Sequence, residues 1–92
     1  MEFLVRFDTA LPEAMPAEEK DRLKKLERIR AVELQDQGIL VRLWRIPGRR
    51  GTVGLWSAPD ATALHDALAS LPQFPWMDVT VEALATHPLE QQ

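Results

Sequence analysis

Glu27 stands where a carboxylate is hard to keep without a partner or a purpose. In helical register, at about 100° per residue, it follows Leu23 by four residues and precedes Leu34 by seven. Leu23, Leu26 and Leu34 define an arc that should face inward, and Glu27 and Arg30 fall on the same ridge. Burying a carboxylate is costly unless it is paired or hydrogen-bonded. Burial also raises its pKa, which is what a general base working near neutrality needs. The competing reading rotates the ridge outward and pairs Glu27 with Lys24 or Arg30, a common and weak contact on helices.

Cationic and aromatic candidates lie further along. Arg42, Trp44 and Ile46 alternate with Val41, Leu43 and Arg45, so each arginine belongs among apolar neighbours on one face of a strand. A guanidinium there can hold a carboxylate bidentately, or it can be a rim residue whose stem covers apolar surface. Alternation does not decide which of Arg42 and Arg45 faces a cavity. Arg49 and Arg50 form a local pair in the turn that follows. Phe74 and Trp76, bracketed by Pro72 and Pro75, either wall a pocket or anchor a core or interface. His65, beside the Leu64–Leu68–Leu71 stripe, and His87, beside Pro88, read as packed or solvated side chains. The chain has no Gly-rich phosphate loop and no Ser-His-Asp set.

The elements that must position these groups are legible from patterning. Phe3, Val5 and Phe7 alternate with Leu4, Arg6 and Asp8, as in a half-buried strand. Pro16 and the acidic Glu18, Glu19 and Asp21 mark the start of a helix expected from about residue 17 to Gln37, with Gly38 as its stop. Ile39 to Ile46 and Thr52 to Ser57 read as a hairpin around the Pro47–Gly51 turn. Asp60 is a candidate N-cap for a second helix. Met77, Val79 and Val81 alternate in a fourth strand, and the tail from Thr86 is expected to fray. The order β-α-β-β-α-β implies an α+β, ferredoxin-like fold: one antiparallel sheet with both helices on one face. The bare face invites a second subunit, giving a dimeric α/β barrel.

Composition narrows the rest. Ninety-two residues read as one domain spanning 1–92, and a chain of this size buries only roughly 60–65% of its unfolded surface. There is no cysteine and there are only two histidines, so disulfides are excluded and a structural metal is not expected. Oligomerisation remains as the way to add stability, and 46% apolar content suits an interface. A net charge of −3 gives no nucleic-acid footprint. The alternating N-terminus reads as neither a signal peptide nor a membrane span, and the expected location is the cytoplasm.

The stretch Leu64 to Val79 combines an amphipathic turn, a proline-bracketed aromatic loop and a strand with an early carboxylate. Together with Leu43-Trp44-Arg45-Ile46-Pro47-Gly48 it resembles the muconolactone delta-isomerase family. The likeness extends from Leu11-Pro12 through the long charged helix and Ala63-Leu64-His65-Asp66 to Leu71-Pro72-x-Phe74-Pro75, Met77-Asp78-Val79 and His87-Pro88. The resemblance implies small ferredoxin-like subunits that pair sheet to sheet and assemble into decamers, with pockets near subunit interfaces. It implies conversion of muconolactone to 3-oxoadipate enol-lactone in the β-ketoadipate branch of aromatic breakdown, without a cofactor. Glu27 then becomes the proton shuttle. On the same resemblance Lys24 is expected to stabilise the enolate or neutralise the carboxylate, and Arg45 to bind the carboxylate; Arg49, Trp44, Phe74 and Trp76 are further substrate-binding candidates from their own chemistry.

The chain departs from that pattern in its pocket. Family members carry a histidine where it has Leu4, a His-Tyr pair where it has Arg49-Arg50, and polar or tyrosyl residues at Thr52 and Val53. A pocket drier in one place and more cationic in another suits a different or larger anionic substrate. The alternative function is therefore a divergent, non-isomerase dimeric α/β-barrel protein. It would bind or convert another small anionic ligand, aromatic-derived or polyketide-like.

Overall fold

A computed structural model describes residues 1–91. Four strands and two helices follow the expected order: β1 (Glu2–Thr9), α1 (Ala17–Asp36), β2 (Leu40–Arg45), β3 (Thr52–Ser57), α2 (Ala61–Ala69) and β4 (Met77–Leu84). All strand pairs are antiparallel, in the spatial order β2-β3-β1-β4. A single turn of 3-10 helix, Phe74–Trp76, leads into β4. The tail does not simply fray: Pro88–Gln91 forms another short 3-10 turn, begun where Leu89 N–H donates to His87 Nδ1 at 3.1 Å.

Alternation in β1 works as the pattern requires. Phe3 and Val5 are buried, and they stand opposite Trp56 and Gly54 on one side and Ala83 and Val81 on the other. This face carries the helices. Its core joins Phe3, Val5, Leu34, Leu40, Trp56, Leu64, Leu68 and Leu71 into one cluster. Leu4, Val53, Leu55 and Trp44 share the opposite face, which no helix covers.

Each helix end has a local cause. Asp60 accepts the Ala63 N–H at 2.8 Å and caps α2. Gly38, at φ +74°, lets the chain leave α1 in the left-handed region. On α1 the ridge Leu23–Glu27–Arg30–Leu34 does face inward, with Leu23 and Leu34 buried and Glu27 and Arg30 half-buried. Leu26 departs from the expectation. It is 38% exposed, because the buried stripe of this charged helix is too narrow to reach one residue to the side.

β2 also differs from plain alternation. Leu40 stands opposite Trp56, yet Arg42 stands opposite Leu55, so the register shifts at Val41. The bulge keeps Leu40 in the core and still places Leu43 and Arg45 on the helix-bearing side, while Arg42 and Trp44 turn to the bare face.

Candidate active site

Two neighbourhoods at one end of the sheet hold the chemistry-bearing groups. The first is the seam between α1 and the chain leaving α2. Glu27 is half-buried, and its Oε1 accepts a hydrogen bond from the Gln73 backbone N–H at 2.9 Å. Partial burial pushes its carboxyl pKa above the ordinary 4.5, and the Gln73 N–H pulls it part of the way back. The outward pairing is absent: among the described residues the ion pairs are Arg22–Glu19 at 2.9 Å and Arg30–Glu33 at 3.8 Å, and neither involves Glu27. Arg30 instead donates from Nε to Ser70 Oγ at 2.9 Å, tying α1 to the end of α2. Lys24 lies one turn before Glu27 with its side chain exposed.

The second neighbourhood is a cavity of about 580 Å³ where β1 ends and the β2–β3 turn begins. Arg45 and Arg49 enter its lining with Phe7, Asp8, Gly51 and Thr52. Register explains Arg45: it stands opposite Thr52, which stands opposite Phe7, all on the helix-bearing side. This resolves the choice that alternation left open, since Arg42 instead stacks its guanidinium 5.3 Å from the Trp44 ring centroid on the bare face. A smaller cavity of about 220 Å³ adjoins it and adds Arg6, Arg50, Asp78 and Thr80. Gly51 is required here, because at φ +90° a Cβ would come 2.7 Å from the Phe7 carbonyl oxygen.

The two neighbourhoods meet through the 3-10 turn. Ala10 N–H donates to the Trp76 carbonyl at 3.1 Å, and Met77 pairs with Thr9, so the Gln73 segment and the cavity share the end of β1. The linings of the two cavities include neither Glu27 nor Lys24. Trp44 lies outside them on the bare face, and Phe74 packs against the core, its ring edge-to-face with His65 at 5.9 Å. Trp76 is half-buried in the connecting turn.

Sequence reasoning missed Ser70, Gln73 and Asp8. Gln73 acts through its backbone, which side-chain patterning cannot see. Its sequence signal is Leu71-Pro72-Gln73-Phe74, a four-residue stretch with proline at the second position of a turn. No group of three or more His, Cys, Asp or Glu side chains that could hold a metal occurs among the described residues. No helix among them is long and apolar enough to cross a membrane.

Comparison with known proteins agrees with this architecture. The family model described as muconolactone delta-isomerase matches residues 1–90. Muconolactone Delta-isomerase 2 of Acinetobacter lwoffii is 41% identical over 87 residues, covering 95% of this chain and 91% of the relative. The muconolactone Delta-isomerase of Pseudomonas aeruginosa is 40% identical over 88 residues, 96% of this chain and 92% of the relative. A solved crystal structure of muconolactone isomerase superposes with a TM-score of 0.88 at 39% identity, covering 96% of this chain and 92% of that one. The chain belongs to the muconolactone delta-isomerase family.

Proposed function

We propose that the protein is a lactone isomerase that converts muconolactone to 3-oxoadipate enol-lactone in the breakdown of aromatic compounds. The observation that carries the reading is Glu27: a half-buried carboxylate with a raised pKa, held by one backbone N–H and with no cationic partner among the described residues. Its Oε1 is occupied, and among the described residues no hydrogen bond engages its Oε2.

The reaction needs little more than such a group. A proton leaves one carbon of the unsaturated lactone and returns to another carbon of the same molecule, while the double bond moves. The electron pair of the broken C–H bond stays in the substrate and the proton count is unchanged overall, so one carboxylate that takes and returns the proton is sufficient, and no redox partner enters. Negative charge gathers on the lactone carbonyl oxygen in between, and Lys24, one turn away on α1, is the cation assigned to it. Arg45 and Arg49 are assigned to the substrate's free carboxylate, a match for a planar guanidinium. Trp44, Phe74 and Trp76 are assigned to shaping the surroundings of the site in the assembled protein.

The proposed working form is a homo-oligomer in the cytoplasm, built from sheet-to-sheet dimers and reaching a decamer. Support comes from the bare face, where Leu4, Val53 and Leu55 lie side by side across β1 and β3. The second reading, a binder or converter of another small anionic acid, is favoured by one observation. Arg49 joins Arg45 on the cavity, with Arg50 next door.

The experiment is turnover of (+)-muconolactone, followed by ultraviolet absorbance, with Glu27→Gln measured alongside. Activity that disappears in the variant supports both the reaction and the base. An inactive wild-type protein that still assembles transfers the case to the second reading.

A further inference from the structure

Leu71-Pro72-Gln73-Phe74 forms a tight turn closed by Phe74 N–H donating to the Leu71 carbonyl at 2.9 Å. Gln73 sits at φ −90°, ψ 2°, the third-position geometry of a type I turn, and Pro72 fills the second position that favours proline. Pro72 has no N–H, and the Phe74 N–H closes the turn. One donor in its centre is left over, the Gln73 N–H, and it points to Glu27. Gln73 is only 8% exposed, so this N–H would be costly to leave without an acceptor.

A second tie lies one step back along the chain. Ser70 Oγ donates to the Ala67 carbonyl at 2.6 Å, satisfying a carbonyl at the end of α2, and accepts from Arg30 Nε at 2.9 Å. Arg30 is one turn after Glu27 on α1. Glu27 is thus bracketed: its own oxygen is bonded to the turn, and its helix is fastened to the residue that starts the turn.

We propose that the Ser70–Phe74 segment is a positioning element for Glu27, with Ser70 and Pro72 as its positioning residues. The turn's leftover N–H holds Oε1, and the Arg30–Ser70 bond fixes α1 against α2, so that Oε2 is presented in one place for proton transfer. This rests on the isomerase reading above and goes beyond it. The surrounding charges do not explain the arrangement. Lys24, Arg28 and Arg30 on α1 and His65 and Asp66 on α2 make no ion pair or hydrogen bond with Glu27. At the helix-facing positions of the sheet, Arg45 is the sole charged residue.

The test combines kinetics with a titration that needs no activity. In Ser70→Ala, kcat for (+)-muconolactone should fall about tenfold with KM unchanged, since small misplacement of a reacting group costs one to two orders of magnitude. The Glu27 carboxyl, read by carbon NMR, should titrate at higher pH than in the wild type, because a hydrogen bond to its charged form is weakened. In the wild type the Gln73 amide proton shift should follow that titration. Ser70→Thr, which keeps the hydroxyl, should restore both readouts, and Pro72→Ala should show a smaller change of the same sign. Wild-type kcat, KM and Glu27 titration in a folded Ser70→Ala protein would overturn the proposal. Should the wild-type protein fail to turn over muconolactone, the isomerase reading falls. The titration then decides the positioning alone: an unmoved Glu27 in Ser70→Ala rejects it, and a shifted one upholds it.

Discussion

Glu27 is the acceptor for the one central peptide N–H that the Leu71–Phe74 turn does not use itself, across 46 residues of chain. The same carboxylate therefore has a structural duty and, in the proposed reaction, a chemical one. Glutamine separates the two, since its amide oxygen can still accept the Gln73 N–H but cannot take up a proton at neutral pH. Glu27→Gln should lower kcat by about 10²–10⁴-fold, the usual worth of a positioned base. Glu27→Ala should lose the same activity and some stability as well, through the orphaned N–H. Steady-state kinetics and thermal unfolding of both variants check this.

The raised pKa also has a sign for stability. Folding favours the protonated form of Glu27, so its contribution is fully present below the unfolded value of 4.5 and is lost as pH rises through the higher folded value. Glu27→Gln should therefore be more stable than wild type near pH 7, with the advantage shrinking toward pH 4. Denaturant titrations at the two pH values measure it. An advantage that grows on acidification would contradict the burial argument.

Arg45 and Arg49 are expected to act on binding. Truncating either to alanine should raise KM for an anionic substrate about 10–100-fold with a smaller change in kcat, in the range of charge-assisted hydrogen bonds. Because both side chains are exposed, the wild-type KM should also rise with salt. A loss confined to kcat would move these residues out of the binding role.

Gly51 and Gly48 offer a controlled pair. Both have positive φ, but a Cβ on Gly48 meets nothing within 4 Å, whereas one on Gly51 meets the Phe7 carbonyl. Gly48→Ala should cost only the backbone strain, about 1–2 kcal/mol. Gly51→Ala should cost more and deform the cavity wall, which thermal unfolding together with KM would show.

The bare sheet face should be the dimer contact. Leu55→Glu places a carboxylate beside Leu4 and Arg42 in the register and should shift the protein toward smaller species in light scattering. Unchanged mass would exclude this face from the assembly.

Much of the fold could be read before any coordinates. The alternation of Phe3, Val5 and Phe7, the Asp60 cap and the Gly38 stop all report local chemistry, and local chemistry decided them. The ridge through Leu23, Glu27 and Leu34 was visible for the same reason. Leu26 misled because periodicity gives a direction and not the width of the buried stripe. The partner of Glu27 was hidden because it is a backbone atom distant in sequence. The place of Arg45 was hidden because a shifted register leaves no mark in composition.

That shift gives β2 two reading frames. Up to Leu40 its inward side chains follow one parity, and from Arg42 onward they follow the other. One short strand thereby answers to both the core and the cavity, which would otherwise make opposite demands on it. Without the bulge at Val41, with every residue of β2 kept and paired one to one, the strand would have to give up either Leu40 to solvent or Arg45 to the far side of the sheet. The charge of the cavity is in this sense set several residues away from it, by a spacing and not by the identity of any residue that lines it.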